Sequence, residues 1–169
     1  MSIELWLAYV AASAFVLIVP GPTILTVISY SIAHGRRATS AVVPGVALGD
    51  STALAVSLLG LGALLAASAS LFTAVKLVGG LYLVYLGVKM LHAGIAATGL
   101  AMRTAPDPRR KMFMNTYVVT ALNPKSIMFF VAFLPQFVDR SANVTQQLWL
   151  LAVTFVVMAT LNSSMYSLF

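Results

Sequence analysis

Two proline-containing breaks interrupt long apolar segments of this chain and constrain its fold more than any other feature. They are Pro20-Gly21-Pro22 and Asn123-Pro124-Lys125. Proline inside a helix removes a backbone hydrogen bond and clashes with the carbonyl four residues earlier, which costs about 3 kcal/mol in a soluble helix. In a bilayer the freed backbone groups find no water, so such breaks survive only when buried in protein or lining a cavity. We therefore expect the two breaks to surround a central site.

The composition indicates a protein solvated mainly by lipid. Of its 169 residues, 60% are hydrophobic and 8% are charged, whereas about 25% of the residues in a soluble domain are charged. A helix needs about 20 apolar residues to cross a bilayer. The sequence therefore predicts an all-α polytopic membrane protein with five spans, at about Leu5–Ile32, Ala41–Ala67, Leu71–Ala93, Met112–Val138 and Leu148–Phe169.

The distribution of Lys and Arg predicts the orientation of these spans, because cytoplasmic loops carry an excess of both. One side of the predicted membrane carries Arg36, Arg37 and a basic loop that includes Arg103 and Arg109 to Lys111. The other side carries only Lys76 and Arg140 near the membrane. We expect the basic loops in the cytoplasm and the amino terminus outside. The net charge of +6 thus follows membrane topology and does not indicate nucleic-acid binding.

The hydrophilic loop divides the chain into two units. Residues 1–98 form a first three-span unit, 99–111 the basic cytoplasmic loop, and 112–169 an incomplete second unit. Three is an odd number of spans, so a second copy of the unit would enter the membrane upside down. Both units open with a broken helix, and inverted repeats with broken helices are typical of alternating-access carriers. We expect inverted three-helix repeats with broken first and fourth helices.

Four motifs, in order along the chain, resemble the lysine exporter and homoserine–threonine exporter family of amino-acid translocators. The resemblance covers nearly the whole chain, and its strongest motif is the fourth, around Asn123-Pro124-Lys125. The motifs are Val19-Pro20-Gly21-Pro22, Gly45 to Asp50, Gly80 to Gly87, and Leu122 to Lys125 followed by Phe129-Phe130 and Phe133 to Phe137.

This resemblance implies six helices, a location in the cytoplasmic membrane and export of small amino acids or their derivatives. Neutral substrates similar to homoserine or threonine are favoured, with alternating access driven by the proton-motive force. A coupling proton and a homo-oligomer are the other expected partners, and no cofactor is expected. The chain offers five of the six helices, so it reads as truncated before the sixth.

The residues at the breaks predict how a substrate is bound. Gly21-Pro22 and Asn123-Pro124 each resemble a helix N-cap followed by proline at the first helical position. The amino end of each half-helix would offer N–H donors and positive partial charge to a substrate carboxylate. Pro20, Pro22 and Pro124 would free the carbonyls of Val16, Ile18 and Thr120, and freed carbonyls can accept from a substrate ammonium.

Two charged residues complete the predicted substrate-binding site. Asp50 lies ~13 Å into its predicted span at about 1.5 Å per residue, where a charged side chain is costly and usually faces a cavity or a partner. It is a candidate to bind a substrate ammonium, to carry the coupling proton or to pair with Lys125. Lys125 is a candidate to bind the substrate carboxylate or to neutralise Asp50. The alternative for both side chains is that they reach water near a helix end.

Four glycines are predicted helix-packing positions, because small residues allow membrane helices to approach closely. They are Gly45 and Gly49 in the second span, and Gly80 and Gly87 in the third. The first pair would bring Asp50 beside the broken first helix.

Three other functions remain open at this level. The alternatives to the exporter are a non-transporting scaffold subunit, an inactive truncated remnant and, further, a cation or metal exporter. The absence of cysteine and of intramembrane histidine weakens the metal hypothesis, since soft metal sites need such ligands. No nucleophile and base motif suggests an enzyme, and no residue spacing predicts a metal site.

Overall fold

The computed structural model describes residues 1–67, 69–93 and 107–168, and all regular structure within these ranges is helical. The α-helices are α1 (Ile3–Ile18), α2 (Pro22–His34), α3 (Arg36–Ala67), α4 (Ala69–Ala93), α5 (Arg109–Ala121), α6 (Pro124–Met128) and α7 (Val144–Leu168). Between α6 and α7 the chain forms a π-helix, Phe129–Phe133, and then a 3-10 helix, Leu134–Phe137. The prediction of an all-α polytopic membrane protein is confirmed.

Helix length and composition identify the membrane spans. Within the described chain, Arg36–Gly60, Arg109–Phe137 and Val144–Leu168 are each long and apolar enough to cross a membrane. The pair α1 and α2, bent by 53° at the first break, forms a further span if taken together. The predicted third span corresponds to α4, whose side-chain surroundings are described only in part.

Both breaks have the predicted backbone form. Gly21 is the N-cap of α2, with Pro22 at its first position. Asn123 is the N-cap of α6, with Pro124 at its first position. Proline suits the first helical position because the N–H that it lacks would have no helical partner there. The break signals in the sequence therefore predicted where each new helix begins.

The basic residues flanking the spans lie in helices, and this corrects the predicted loops. Gly35, with φ 58°, connects α2 to α3 by itself, since glycine adopts positive φ without steric cost. Arg36 and Arg37 therefore begin α3, although the second span was predicted to begin only at Ala41. The end of the predicted loop 99–111 is also helical, because α5 begins at Arg109. Residues 99–106 of that loop lie outside the described chain.

The long helix α3 lies at the centre of the fold, with α5 and α7 as its main neighbours. Its glycines allow the contact with α5. A Cβ added at Gly45 would lie 3.0 Å from the Phe113 carbonyl oxygen, and one added at Gly49 only 2.6 Å from Thr120 Cβ. The two glycines thus pack against α5.

Of the two glycines of α4 that were predicted to pack, Gly80 has no close neighbour among the described residues. A Cβ at Gly80 would meet no described atom within 4 Å, whereas one at Gly79 would lie 2.9 Å from Ala132 Cβ. The small residue at this interface is therefore Gly79 rather than Gly80. Neighbouring residues of a helix point about 100° apart, so a shift of one position separates a packed face from an open one. The surroundings of Gly87 lie outside those that the structure describes.

Aromatic side chains fill the core where the π-helix meets α1 and α7. The Phe130 and Phe155 rings meet edge to face with centroids 4.7 Å apart, and Tyr9 contacts Phe137 in the same way at 5.3 Å. Such T-shaped pairs are favoured by the ring quadrupole. Large apolar side chains also cover the outer surface, including Phe15, Leu59, Leu81 and Trp149, as expected for helices that face lipid.

Candidate functional site

The two breaks meet at a small cavity of about 20 Å³. A cavity of this volume holds about one water molecule, so in this conformation the site is too small for an amino acid. Polar and charged side chains from four helices reach it, together with a few apolar ones. Its lining consists of Leu17, Gly21, Thr23, Ile24, Val46, Asp50, Asn123, Lys125, Ser126, Ala159 and Asn162.

At the first break, side chains from distant helices bind the carbonyls that end α1. Lys125 Nζ donates to Val16 O at 2.8 Å and to Val19 O at 2.7 Å. From α7, Asn162 Nδ2 donates to Leu17 O at 3.2 Å and Tyr166 Oη to Ile18 O at 3.4 Å. The last carbonyls of a helix have no partner within it, and here α6 and α7 supply the donors.

The position of Lys125 follows from helix electrostatics. A cation in the first turn of a helix faces the positive end of the helix dipole, which is unfavourable. The Lys125 side chain reaches instead to the last turn of α1, where the carbonyls carry negative partial charge. It passes directly over Gly21: an added Cβ there would lie 3.1 Å from Nζ and 3.2 Å from Cε. The lysine is 8% exposed, so its ammonium replaces water with backbone carbonyls.

At the second break, the chain satisfies its own backbone groups. Asn123 Oδ1 accepts from the Lys125 backbone N–H at 3.1 Å, which caps α6. The Asn123 backbone N–H donates to Thr120 O at 3.0 Å. The Thr120 carbonyl, predicted to be freed by Pro124, therefore has a local partner. Asn123 Nδ2 also donates to Thr23 Oγ1 at 3.0 Å, and this bond joins the second break to the first turn of α2.

Asp50 supplies the carboxylate of the site. The residue is 3% exposed, and its side chain interacts with the Ser126 side chain by hydrogen bonding and with Lys125 electrostatically. Its Oδ1 atom accepts no hydrogen bond from the described part of the chain. A buried acceptor without a donor is costly, and such an atom at a cavity marks a position where a ligand N–H can bind.

A larger groove adjoins the cavity. Its volume is about 630 Å³, and its lining includes Ile18, Ile28, Arg36, Asn162 and Tyr166. Asn162 therefore lies on both the groove and the cavity.

The structure brings together most of the site residues that the sequence predicted. Gly21, Asp50, Asn123 and Lys125 all line the cavity. Pro20 and Pro22 flank Gly21 in the chain, and Pro22 and Pro124 are the first residues of α2 and α6. Sequence reasoning missed Thr23, Ser126, Asn162 and Tyr166. The polar run Asn162-Ser163-Ser164 inside an otherwise apolar span was a signal that could have pointed to α7.

No group of three or more His, Cys, Asp or Glu side chains comes close enough to hold a metal ion within the residues that the structure describes.

Comparison with known proteins supports the resemblance found in the motifs. A leucine efflux protein of Enterobacter sp. (strain 638) is 34% identical over 164 residues, which cover 95% of this chain and 75% of that protein. An uncharacterized membrane protein, YrhP of Bacillus subtilis (strain 168), is 33% identical over 163 residues, covering 92% and 78%. A leucine efflux protein of Salmonella typhi is 32% identical over 152 residues, covering 90% and 69%.

No solved structure matches the chain. The model of the LysE type translocator family, in contrast, matches residues 14–169. This match includes both helix breaks, the cavity between them and the helix α7 that closes it. The family predicted from the four motifs is confirmed: the chain belongs to the LysE type translocator family.

Proposed function

We propose that this protein exports neutral amino acids with aliphatic side chains across the cytoplasmic membrane by alternating access. One observation carries the proposal. Asp50, a buried carboxylate with an oxygen free to accept, lies beside Lys125 where two broken helices meet. Substrate sites of many secondary transporters lie near the bilayer midplane at such discontinuous helices. The names of the leucine efflux relatives favour the same substrate class.

The charges at the cavity suit a zwitterion. The α-ammonium of the substrate would donate to Asp50 Oδ1, and its carboxylate would pair with Lys125. One acidic residue lines the cavity, so a second cation, as in lysine or arginine, would have no acidic partner there. Leu17, Ile24 and Val46 provide apolar surface for the substrate side chain. These features favour leucine-like substrates, with homoserine and threonine as smaller neutral alternatives.

Transport requires the closed site to open. The cavity of about 20 Å³ must expand, and the groove that shares Asn162 is the nearest larger space. We place the end of the molecule that carries Arg36 in the cytoplasm, following the positive-inside rule. The groove would then be the cytoplasmic approach to the site. The two broken helices would belong to inverted units that move against each other.

The proposed energy source is the proton-motive force. Asp50 can bind either a substrate ammonium or a proton, but not both on the same oxygen. Alternation between the two would exchange outgoing substrate for an incoming proton. This role needs a carboxylate that is shielded from water, and Asp50 is 3% exposed.

The test is transport of radiolabelled leucine, threonine, homoserine and lysine into everted membrane vesicles. We expect leucine uptake that depends on the proton gradient and falls at least about tenfold in Asp50→Asn, because a hydrogen bond to a charged group is worth about 1.5–3 kcal/mol. The matched control is Asp139→Asn, which changes a loop carboxylate that bonds to Ser141. We expect this variant to keep its uptake within about twofold of the unaltered protein, since surface substitutions have small effects.

Gradient-dependent leucine uptake that is unchanged in Asp50→Asn would contradict the role of Asp50. Stable protein in the membrane that moves none of the four amino acids would contradict the exporter proposal and favour a scaffold.

A further inference from the structure

The last turn of α1 forms a binding site for a primary ammonium group. Val16 O and Val19 O accept from one nitrogen, Lys125 Nζ, at 2.8 and 2.7 Å. Both distances are typical of charge-assisted hydrogen bonds. Carbonyls at a helix C-terminus carry negative partial charge, so this end of α1 attracts a cation whether or not the cation belongs to the chain.

We propose that Lys125 fills this ammonium site only in the closed, empty protein, and that the α-ammonium of the substrate replaces it in the loaded protein. The site itself, Val16 O and Val19 O at the end of α1, is then a subsite for primary amines. The replacement rests on the proposed export of amino acids, whereas the ammonium site does not.

The exchange leaves each ammonium with acceptors. In the closed protein the Lys125 ammonium is bound by the two α1 carbonyls, and Asp50 Oδ1 accepts no hydrogen bond from the described chain. In the loaded protein the substrate ammonium would take these carbonyls and turn its third N–H towards Asp50 Oδ1, and the substrate carboxylate would accept from the displaced Lys125. Neither ammonium is then buried without a partner, which matters because an unpaired buried charge costs several kcal/mol.

The surroundings allow the lysine to move. Its ammonium carries three donors on a flexible four-carbon stem, and two of these donors hold the α1 carbonyls. Gly21 lets Nζ and Cε lie close to its backbone without a clash, because it has no Cβ. Asp50, Lys125 and Gly21 all line the same cavity, so a short rotation of the stem moves the ammonium within that space.

The site should select cations by their N–H groups. The two carbonyls accept from two of the three donors of a primary ammonium. Tetramethylammonium has the same charge but no N–H to donate. Methylammonium has the three donors and the size of the end of the lysine side chain. These two ions therefore separate an ammonium site from a general response to positive charge.

The first experiment measures the apparent melting temperature of Lys125→Ala in detergent, with methylammonium or tetramethylammonium chloride at equal ionic strength. We expect the variant to melt lower than the unaltered protein, and methylammonium to raise its melting temperature by about 2–4 °C, as a ligand that binds the folded state does. Tetramethylammonium should give no shift. The control Lys111→Ala removes the lysine that pairs with Asp107 at 2.7 Å, and it should respond to neither ion.

Equal responses of Lys125→Ala to the two ions would overturn the ammonium site. Should this variant fail to fold, Lys125→Cys provides the same comparison, because the chain contains no other cysteine. Aminoethylation of that thiol in membranes restores a primary ammonium at nearly the length of lysine. We expect it to restore the melting temperature, whereas methylation of the thiol should not. With alkylation of the thiol verified by mass spectrometry of the intact protein, equal effects of the two reagents would again contradict the site.

The replacement by substrate is tested with 3-methylbutylamine, which is leucine without its carboxylate. It lacks the carboxylate that would hold the displaced Lys125. We therefore expect it to bind Lys125→Ala with an affinity at least about tenfold higher than its affinity for the unaltered protein. Equal affinity for both proteins would contradict the replacement. Failure of leucine transport with a positive methylammonium result would contradict the exporter proposal and leave the ammonium site in place.

Discussion

The two helix breaks have similar sequences but are stabilised in different ways. At the first, the carbonyls that end α1 depend on Lys125, Asn162 and Tyr166, which lie more than a hundred residues away in the chain. At the second, Asn123 caps α6 through its own side chain and bonds to Thr120 through its own backbone. The carbonyls of the first break therefore need the assembled helix bundle, whereas the backbone groups of the second break are bonded locally.

This difference suggests a division of roles within the site. A break held by distant side chains can separate from them when the helices move. A break capped locally keeps its backbone form while the Lys125 side chain moves. Under the proposed alternating access, we expect backbone motion to be concentrated at the first break, with the second as its support. The following variants test this difference, from the largest expected effect to the smallest.

The support of the second break depends most on the contact between α3 and α5. Gly49→Ala would place a methyl group 2.6 Å from Thr120 Cβ and 2.9 Å from the Tyr117 carbonyl oxygen. We expect a loss of about 1–3 kcal/mol in the free energy of unfolding, as is usual for overpacking. Denaturation in mixed micelles measures it. Gly80→Ala, which adds a methyl group to open space, should stay within about 0.5 kcal/mol, and equal losses in both variants would contradict this packing.

The local cap of the second break is removed in Asn123→Ala. The change deletes the bond from the Lys125 N–H and the bond to Thr23, and we expect a loss of about 1–2 kcal/mol. Asn123→Asp keeps the capping acceptor and should lose less. If the aspartate variant is as unstable as the alanine variant, the cap is not what holds this break.

The hydrogen bonds from α7 to the end of α1 are tested by Asn162→Ala. One hydrogen bond, from Asn162 to Leu17 O at 3.2 Å, is lost, and we expect a cost of about 0.5–1.5 kcal/mol. Tyr166→Phe removes the longer and more exposed bond to Ile18 O and should cost less than about 0.5 kcal/mol. Unfolding of both variants in mixed micelles measures the free energies. A larger loss of unfolding free energy in Tyr166→Phe than in Asn162→Ala would contradict the expectation that the Asn162 bond is the stronger of the two.

The sequence predicted those parts of the site that depend on local chemistry. Gly21-Pro22 and Asn123-Pro124 carry their own capping signals, and Asp50 is an acidic residue in an apolar helix, so each was recognisable without a fold. The partners of the α1 carbonyls were not, because they depend on how α6 and α7 pack against α1. Lys125 was expected to meet Asp50 or a substrate, and its bonds to Val16 and Val19 follow only from that packing.

Where the sequence placed a packing position or a helix start wrongly by one or a few residues, the cause is also physical. Gly79 and Gly80 are equally small, and only the rotation of α4 against Ala132 decides which of them lies in the interface. Arg36 and Arg37 suggested a loop because they are charged. The sequence could not indicate that Gly35 turns the chain within a single residue.

Because Gly35 alone joins α2 to α3, a rotation of α2 at one end is passed directly to α3 at the other. The helix has 13 residues and is therefore about 20 Å long, with the first break at one end and Gly35 at the other. A rotation of α2 by about 10° at the break would move its far end by about 3–4 Å at that length. With only one residue between α2 and α3, no slack absorbs this displacement. A small rotation of α2 at the first break would thus displace Arg36 by about the length of a side chain.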